Sequence, residues 1–153
     1  MYTMLNRLDV LLPALEAGVT VIAAHCSLPV WDSDPDYTYE FIRLMYTAKE
    51  NGWNLYADLS ALALPRLLCP KRYKSARKIA EEKGIHDRPL LGSDFLVVVG
   101  SVIPELSDGL DLEELSDLLG TSNPLDRNVK WLRRLGFSQA VFERGAQALG
   151  LTT

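Results

Sequence analysis

The chain has 153 residues, 48% of them hydrophobic and 24% charged, with a formal net charge of -4. That length supports one domain with a core of its own, and the composition argues against fibrous or disordered classes. The only basic stretch, residues 70–78, runs into Glu81 and Glu82, so it reads as a solvated helix face and not as a nucleic-acid footprint.

Residues 4–17 place Leu5, Leu8, Leu11, Leu12 and Leu15 at helical spacing, and Gly18 is a suitable stop. Pro13 kinks or restarts that helix. Residues 19–24 are a continuous apolar, largely β-branched run, as in a strand buried on both faces, and the run stops at His25. A polar loop at residues 33–36 leads into a second helix over residues 37–51, with Phe41, Leu44, Met45 and Ala48 on one side and Asn51-Gly52 closing it. Residues 53–59 read as a second strand with another polar ending, Asp58 and Ser60.

Residues 61–68 form a short apolar helix or turn broken by Pro65 and Pro70. A charged helix over residues 71–83 stops at Gly84, and a third strand centred on Leu90 and Leu91 ends at Asp94. The apolar run 95–103 reads equally as a strand or as a loop lining a pocket. Helices are then expected over residues 110–119, 128–135 and 138–149, with Pro124 at a helix start and Gly136-Phe137 as a joint. Alternating helices and strands predict a parallel α/β sheet of three or four strands built of right-handed crossover units.

Chemistry in parallel α/β proteins sits outside the carboxyl ends of the strands. His25 and Asp94 are therefore the leading site residues. His25 is a metal ligand, a group that orients a metal-bound water, or a strand-end histidine satisfied by backbone. Asp94 binds metal, takes a proton or caps the next turn. Ser60 is better read as an N-cap, and His86, before a strand start, as a surface histidine. Cys26 reads as packing, and Trp31 either walls a pocket or is a partly buried loop aromatic. Cys26 and Cys69 form no C-x-x-C pair, which fits a reducing compartment. No signal-peptide layout opens the sequence, and no stretch reaches the ~18 consecutive apolar residues of a membrane helix. The expectation is a cytoplasmic protein without membrane or nucleic-acid partners. The sequence has no P-loop, Gly-x-Gly-x-x-Gly, Gly-x-Ser-x-Gly or His-Glu-x-x-His.

Three segments, Gly18-Val-Thr-Val-Ile-Ala-Ala-His-Cys26, Asn54-Leu-Tyr-Ala-Asp-Leu-Ser-Ala61 and Arg88-Pro-Leu-Leu-Gly-Ser-Asp-Phe95, resemble consecutive parts of the amidohydrolase superfamily. The nearest branch is amidohydrolase-2, which includes aminocarboxymuconate-semialdehyde decarboxylase. The tail around Asn123-Pro-Leu-Asp-Arg-Asn128 and Leu135-Gly-Phe137 resembles the C-terminal helices of bacterial members. The resemblance implies one domain over residues 1–153: the C-terminal part of a (β/α)8 TIM barrel, strands six to eight plus the C-terminal helices. It also implies that His25 ends strand six, as metal ligand, water contact or base. Asp94 would end strand eight, binding the metal and moving the proton. Asp58 and Ser60 would border the substrate pocket without a fixed role.

The family's His-x-His on strand one and its histidine on strand five have no counterpart here, and a full barrel takes about 250 residues. A zinc-type site needs about three protein ligands. The resemblance thus implies a metal-dependent hydrolase of small-molecule substrates, with metal-activated water attacking a carbonyl. This chain alone would bind its divalent metal, zinc by expectation, weakly or not at all, and would be inactive. The rival readings are a decarboxylase of the same branch, a non-catalytic fragment that completes its barrel with another chain or as a homo-oligomer, and a small doubly wound binding domain with Asp94 as a phosphate-acceptor or metal carboxylate.

Overall fold

In the computed structural model, residues 8–29, 31–62, 70–92, 111–148 and 150–151 are described. A 3-10 turn at Leu8–Leu11 leads into α1 (Leu12–Glu16), with Pro13 in the first turn, so the proline restarts the helix as its missing N–H allows. Strand β1 (Val21–Ala23) is followed by a 3-10 turn (Ala24–Ser27) and by α2 (Thr38–Glu50). Then come β2 (Leu55–Asp58), α3 (Pro70–Glu81), a 3-10 turn (Lys83–Ile85) and β3 (Pro89–Leu90). The tail holds α4 (Leu112–Gly120), α5 (Pro124–Leu135), α6 (Gln139–Glu143) and α7 (Gly145–Ala148).

The three strands form one parallel sheet in chain order, β1-β2-β3. Val21, Ile22 and Ala23 pair with Leu55, Tyr56 and Ala57, and Ala57 and Asp58 pair with Pro89 and Leu90. Parallel neighbours need a crossover between them, and α2 and α3 supply it. The α/β class expected from the sequence is therefore present.

One face of the sheet carries the core. Leu55 and Ala57 are fully buried with Phe41, Met45 and Ala48 of α2, Ala76 and Ala80 of α3, and Leu132 and Val141 from the tail. Side chains three and four apart along α2 and α3 line up on the buried side, which is why both helices lie on the sheet. The opposite face is less covered: Ile22 is 43% exposed, and Tyr56 and Asp58 are half-buried. Parallel sheets are ordinarily covered on both faces, so the exposure of Ile22 on this face is a distinctive feature among the described residues.

The strands are shorter than the apolar runs. Beyond the ladder, the Leu59 amide still bonds the Leu90 carbonyl at 2.9 Å, but β1 breaks after Ala23, and the backbone is left-handed from His25 to Ser27. The helix start expected at Pro124 and the helix expected over residues 128–135 are one helix, α5. Asn123 caps it by accepting the Leu125 amide at 2.9 Å, and Gly136 ends it at φ 105°. The expected helix 138–149 divides at Arg144, just before Gly145, consistent with the roughly 1 kcal/mol that a helical glycine costs. Helix α4 starts with a capping box, Asp111 with Glu114. The run 95–103 and residues 63–69, Cys69 included, lie outside the described residues. Among the described residues no helix is long and apolar enough to cross a membrane.

Candidate functional site at the carboxyl edge of the sheet

Strand β1 ends in three consecutive non-glycine residues with positive φ: His25 (53°), Cys26 (54°) and Ser27 (53°). Each such residue costs about 1–2 kcal/mol, so neighbouring structure must hold the turn. Asp58, the last residue of β2, does so. Its Oδ1 accepts the His25 amide at 3.2 Å, and its carbonyl accepts the Cys26 thiol at 3.3 Å. Parallel pairing of β1 with β2 is what brings these groups together across 33 residues of chain.

The same carboxylate organises the end of β2. Asp58 Oδ1 also accepts the Ser60 amide at 2.9 Å and the Ser60 hydroxyl. His25 Nδ1 then lies 2.6 Å from Ser60 Oγ, 3.2 Å from the Ser60 carbonyl and 3.7 Å from Asp58 Oδ1. The Ser60 hydroxyl thus faces Asp58 and His25 instead of serving only as the turn cap expected from the sequence. Ser60 is buried, while the His25 side chain keeps 33% of its surface open. A Cβ on Gly92, just past β3, would lie 3.1 Å from Ser60 Cβ and 3.2 Å from Asp58 Cβ. The absent side chain is what lets β3 close on the cluster.

Cys26 is fully buried in the core, which matches its reading as packing. Burial pushes its thiol pKa far up, and the neighbouring Asp58 charge adds to that against the opposing pull of Arg72. A thiol held protonated in this way is neither a nucleophile nor a ligand. Trp31 is 67% exposed and lies on the loop surface.

His86 is not a surface residue: it is 5% exposed. Its ring stacks on Phe137 with centroids 5.6 Å apart. Nε2 lies 3.1 Å from the Ala80 carbonyl, and Nδ1 accepts the Ser138 amide at 3.2 Å. The sequence placed it correctly ahead of β3, but the tail packs over it, which a local reading has no means to see. Burial lowers its pKa, and the Lys83 charge lowers it further.

Asp94 lies outside the described residues, so the His25–Asp94 pair is not placed. Among the described residues no three His, Cys, Asp or Glu side chains are grouped to hold a metal ion. His25 offers one imidazole, and Asp58 Oδ1 is already filled by three donors. These residues alone therefore do not make a metal site of the usual three-ligand kind. What they do make is a fixed imidazole at a strand end with one nitrogen tied back to the protein.

The opposite end of the sheet holds a cavity of about 410 Å³ lined by Trp53, Asn54, Tyr56, Arg88 and Arg144, among others. Arg88 Nη1 there donates to the carbonyls of Trp53 at 2.7 Å and Leu55 at 3.3 Å, so that guanidinium is engaged in joining the strand starts. Comparison with protein-family models, curated proteins and solved structures gives no match to this chain.

Proposed function

We propose that this chain is the portion of an amidohydrolase-type (β/α)8 barrel that carries strands six to eight and the closing helices. On this reading it belongs to a metal-dependent hydrolase, with His25 and Asp94 as its contribution to the site. The observation that carries the reading is the sheet itself. Three parallel strands stand in chain order, helices cover one face, the other face is open at Ile22, and a histidine sits at the carboxyl edge. In a closed barrel of this kind the open face lines the lumen and the carboxyl edge carries the chemistry.

The sequence holds only two histidines and no His-x-His, so on this reading the remaining ligands come from strands outside this segment. Those strands belong to another part of the protein or to a complementing chain, and they would also cover Ile22. Within the complete site, His25 presents an imidazole fixed by Asp58 and Ser60, able to accept a proton or orient a polar group at the reacting centre.

Two measurements test this. The coding DNA in frame ahead of Met1 is expected to encode a His-x-His within about 200 residues, the span of the remaining barrel. Isothermal titration of the 153-residue chain with zinc is expected to show no tight binding. Tight zinc binding that disappears in His25→Ala would show that the chain holds a complete site and would overturn the division of ligands proposed here.

A further inference from the structure

We infer that Ser60, braced by Asp58, is a positioning residue that holds His25 as its Nδ1–H tautomer and so leaves Nε2 as an unprotonated, proton-accepting nitrogen at the carboxyl edge of the sheet. This deepens the proposed function and depends on it only for the use made of that nitrogen. The tautomer itself follows from local geometry.

A carboxylate only accepts hydrogen bonds. The Ser60 hydroxyl proton is therefore directed at Asp58 Oδ1, and the oxygen it leaves facing His25 Nδ1 at 2.6 Å is an acceptor. The Ser60 carbonyl, 3.2 Å from the same nitrogen, also only accepts. Asp58 Oδ1, at 3.7 Å, is a third acceptor. Every oxygen around Nδ1 thus calls for a donor, so Nδ1 carries the proton. A neutral imidazole has one N–H, which leaves the lone pair on Nε2. No hydrogen bond to Nε2 is found among the described residues, and a third of the side chain is open. Tying one ring N–H to an acceptor is a general way to fix the tautomer and orientation of a working histidine.

His86 provides an internal contrast. The Ala80 carbonyl lies against its Nε2, and the Ser138 amide donates to its Nδ1. The acceptor and donor are reversed relative to His25, so His86 is the Nε2–H tautomer. The chain has two histidines, and the structure gives them opposite tautomers.

A long-range proton–nitrogen correlation spectrum of the uniformly 15N-labelled chain reads both at once, at about pH 8 where imidazoles are neutral. His25 is expected to show a protonated-type shift at Nδ1 and an unprotonated-type shift at Nε2, with His86 showing the reverse. In Ser60→Ala, the two His25 shifts are expected to move towards each other as the tautomers mix, with the His86 pattern unchanged as evidence of an intact fold. A wild-type His25 protonated at Nε2 overturns the inference. So does a Ser60→Ala chain that retains both patterns unshifted. Should Ser60→Ala lose the His86 pattern by unfolding, the wild-type spectrum still decides. The zinc titration and the upstream sequence test the barrel reading separately, so either can fail while the other stands.

Discussion

Replacing Asp58 by alanine removes the acceptor on which the carboxyl edge is built. Its Oδ1 takes three donors: the His25 amide at 3.2 Å, the Ser60 amide at 2.9 Å and the Ser60 hydroxyl. A hydrogen bond to a charged group contributes about 1.5–3 kcal/mol when buried. Asp58 keeps 26% of its side chain open, so water replaces part of each bond, and about 1 kcal/mol apiece is a fairer figure. Against the resulting total of about 3 kcal/mol stands only slight relief of the left-handed turn, under about 1 kcal/mol, because Cys26 and Leu28 stay buried in the core and the Leu28 amide still bonds the His25 carbonyl. The expected net loss is about 2–3 kcal/mol for Asp58→Ala. About half of that is expected for Asp58→Asn, which keeps an oxygen acceptor but not the charge. Urea denaturation followed by far-ultraviolet circular dichroism measures both. A midpoint for Asp58→Ala within about 0.5 kcal/mol of wild type, the range of an ordinary surface substitution, would refute the claim that this carboxylate holds the two strand endings together.

His86 has its pKa lowered by burial, so the unfolded chain takes up a proton more readily than the native one. Its contribution is therefore fully present above the ordinary histidine pKa of about 6.5 and is lost as pH falls through that value towards the lower native one. Urea midpoints at pH 7.5 and 5.5 are expected to differ more in wild type than in His86→Gln; equal differences would sink this assignment. Gly92→Ala puts a methyl 3.1–3.3 Å from Ser60 Cβ, Asp58 Cβ and the Ser60 amide nitrogen. That is expected to cost about 1–3 kcal/mol as an overpacking change and to shift the His25 ring resonances, and a neutral variant with unmoved resonances would show that the approach is looser than described. Cys26, fully buried with a raised pKa, is expected to resist iodoacetamide at pH 8 until the chain unfolds. Its rapid labelling in the native protein, read by peptide mass spectrometry, would contradict a core position.

Much of the local organisation was legible in the residues. The apolar spacing around Phe41 and Met45 marks α2 to within a residue or so at each end, and Asn123 with Pro124 marks a helix start. The strand cores around Ile22, Leu55 and Leu90 are likewise visible as short apolar runs. Their lengths are not, because a strand lasts only as long as its neighbour pairs with it, and β3 ladders with β2 over just two residues.

The candidate site was half legible. His25 stands out as a polar stop to a β-branched run, and the strand-end rule gives it meaning. Ser60 and Asp58 were visible as another polar ending, but nothing in Asp58-Leu59-Ser60 announces that one carboxylate oxygen will serve two strand ends. His86 was misread because its burial comes from Phe137 and Ser138, some 50 residues downstream.

The sequence by itself therefore determined the alternation of helix and strand, the side of each helix that seeks burial, and the polar residues that terminate β1 and β2. These follow from periodicity and turn chemistry, which act over a few residues. Only the tertiary structure decided which of those polar groups meet. Parallel pairing across a crossover helix sets the end of β1 against the end of β2, and the tail sets Ser138 against His86. A histidine's tautomer depends on whether its neighbours donate or accept, so the character of His25 was fixed by Ser60, 35 residues along the chain, and that of His86 by Ser138, 52 residues along, together with the nearby Ala80 carbonyl.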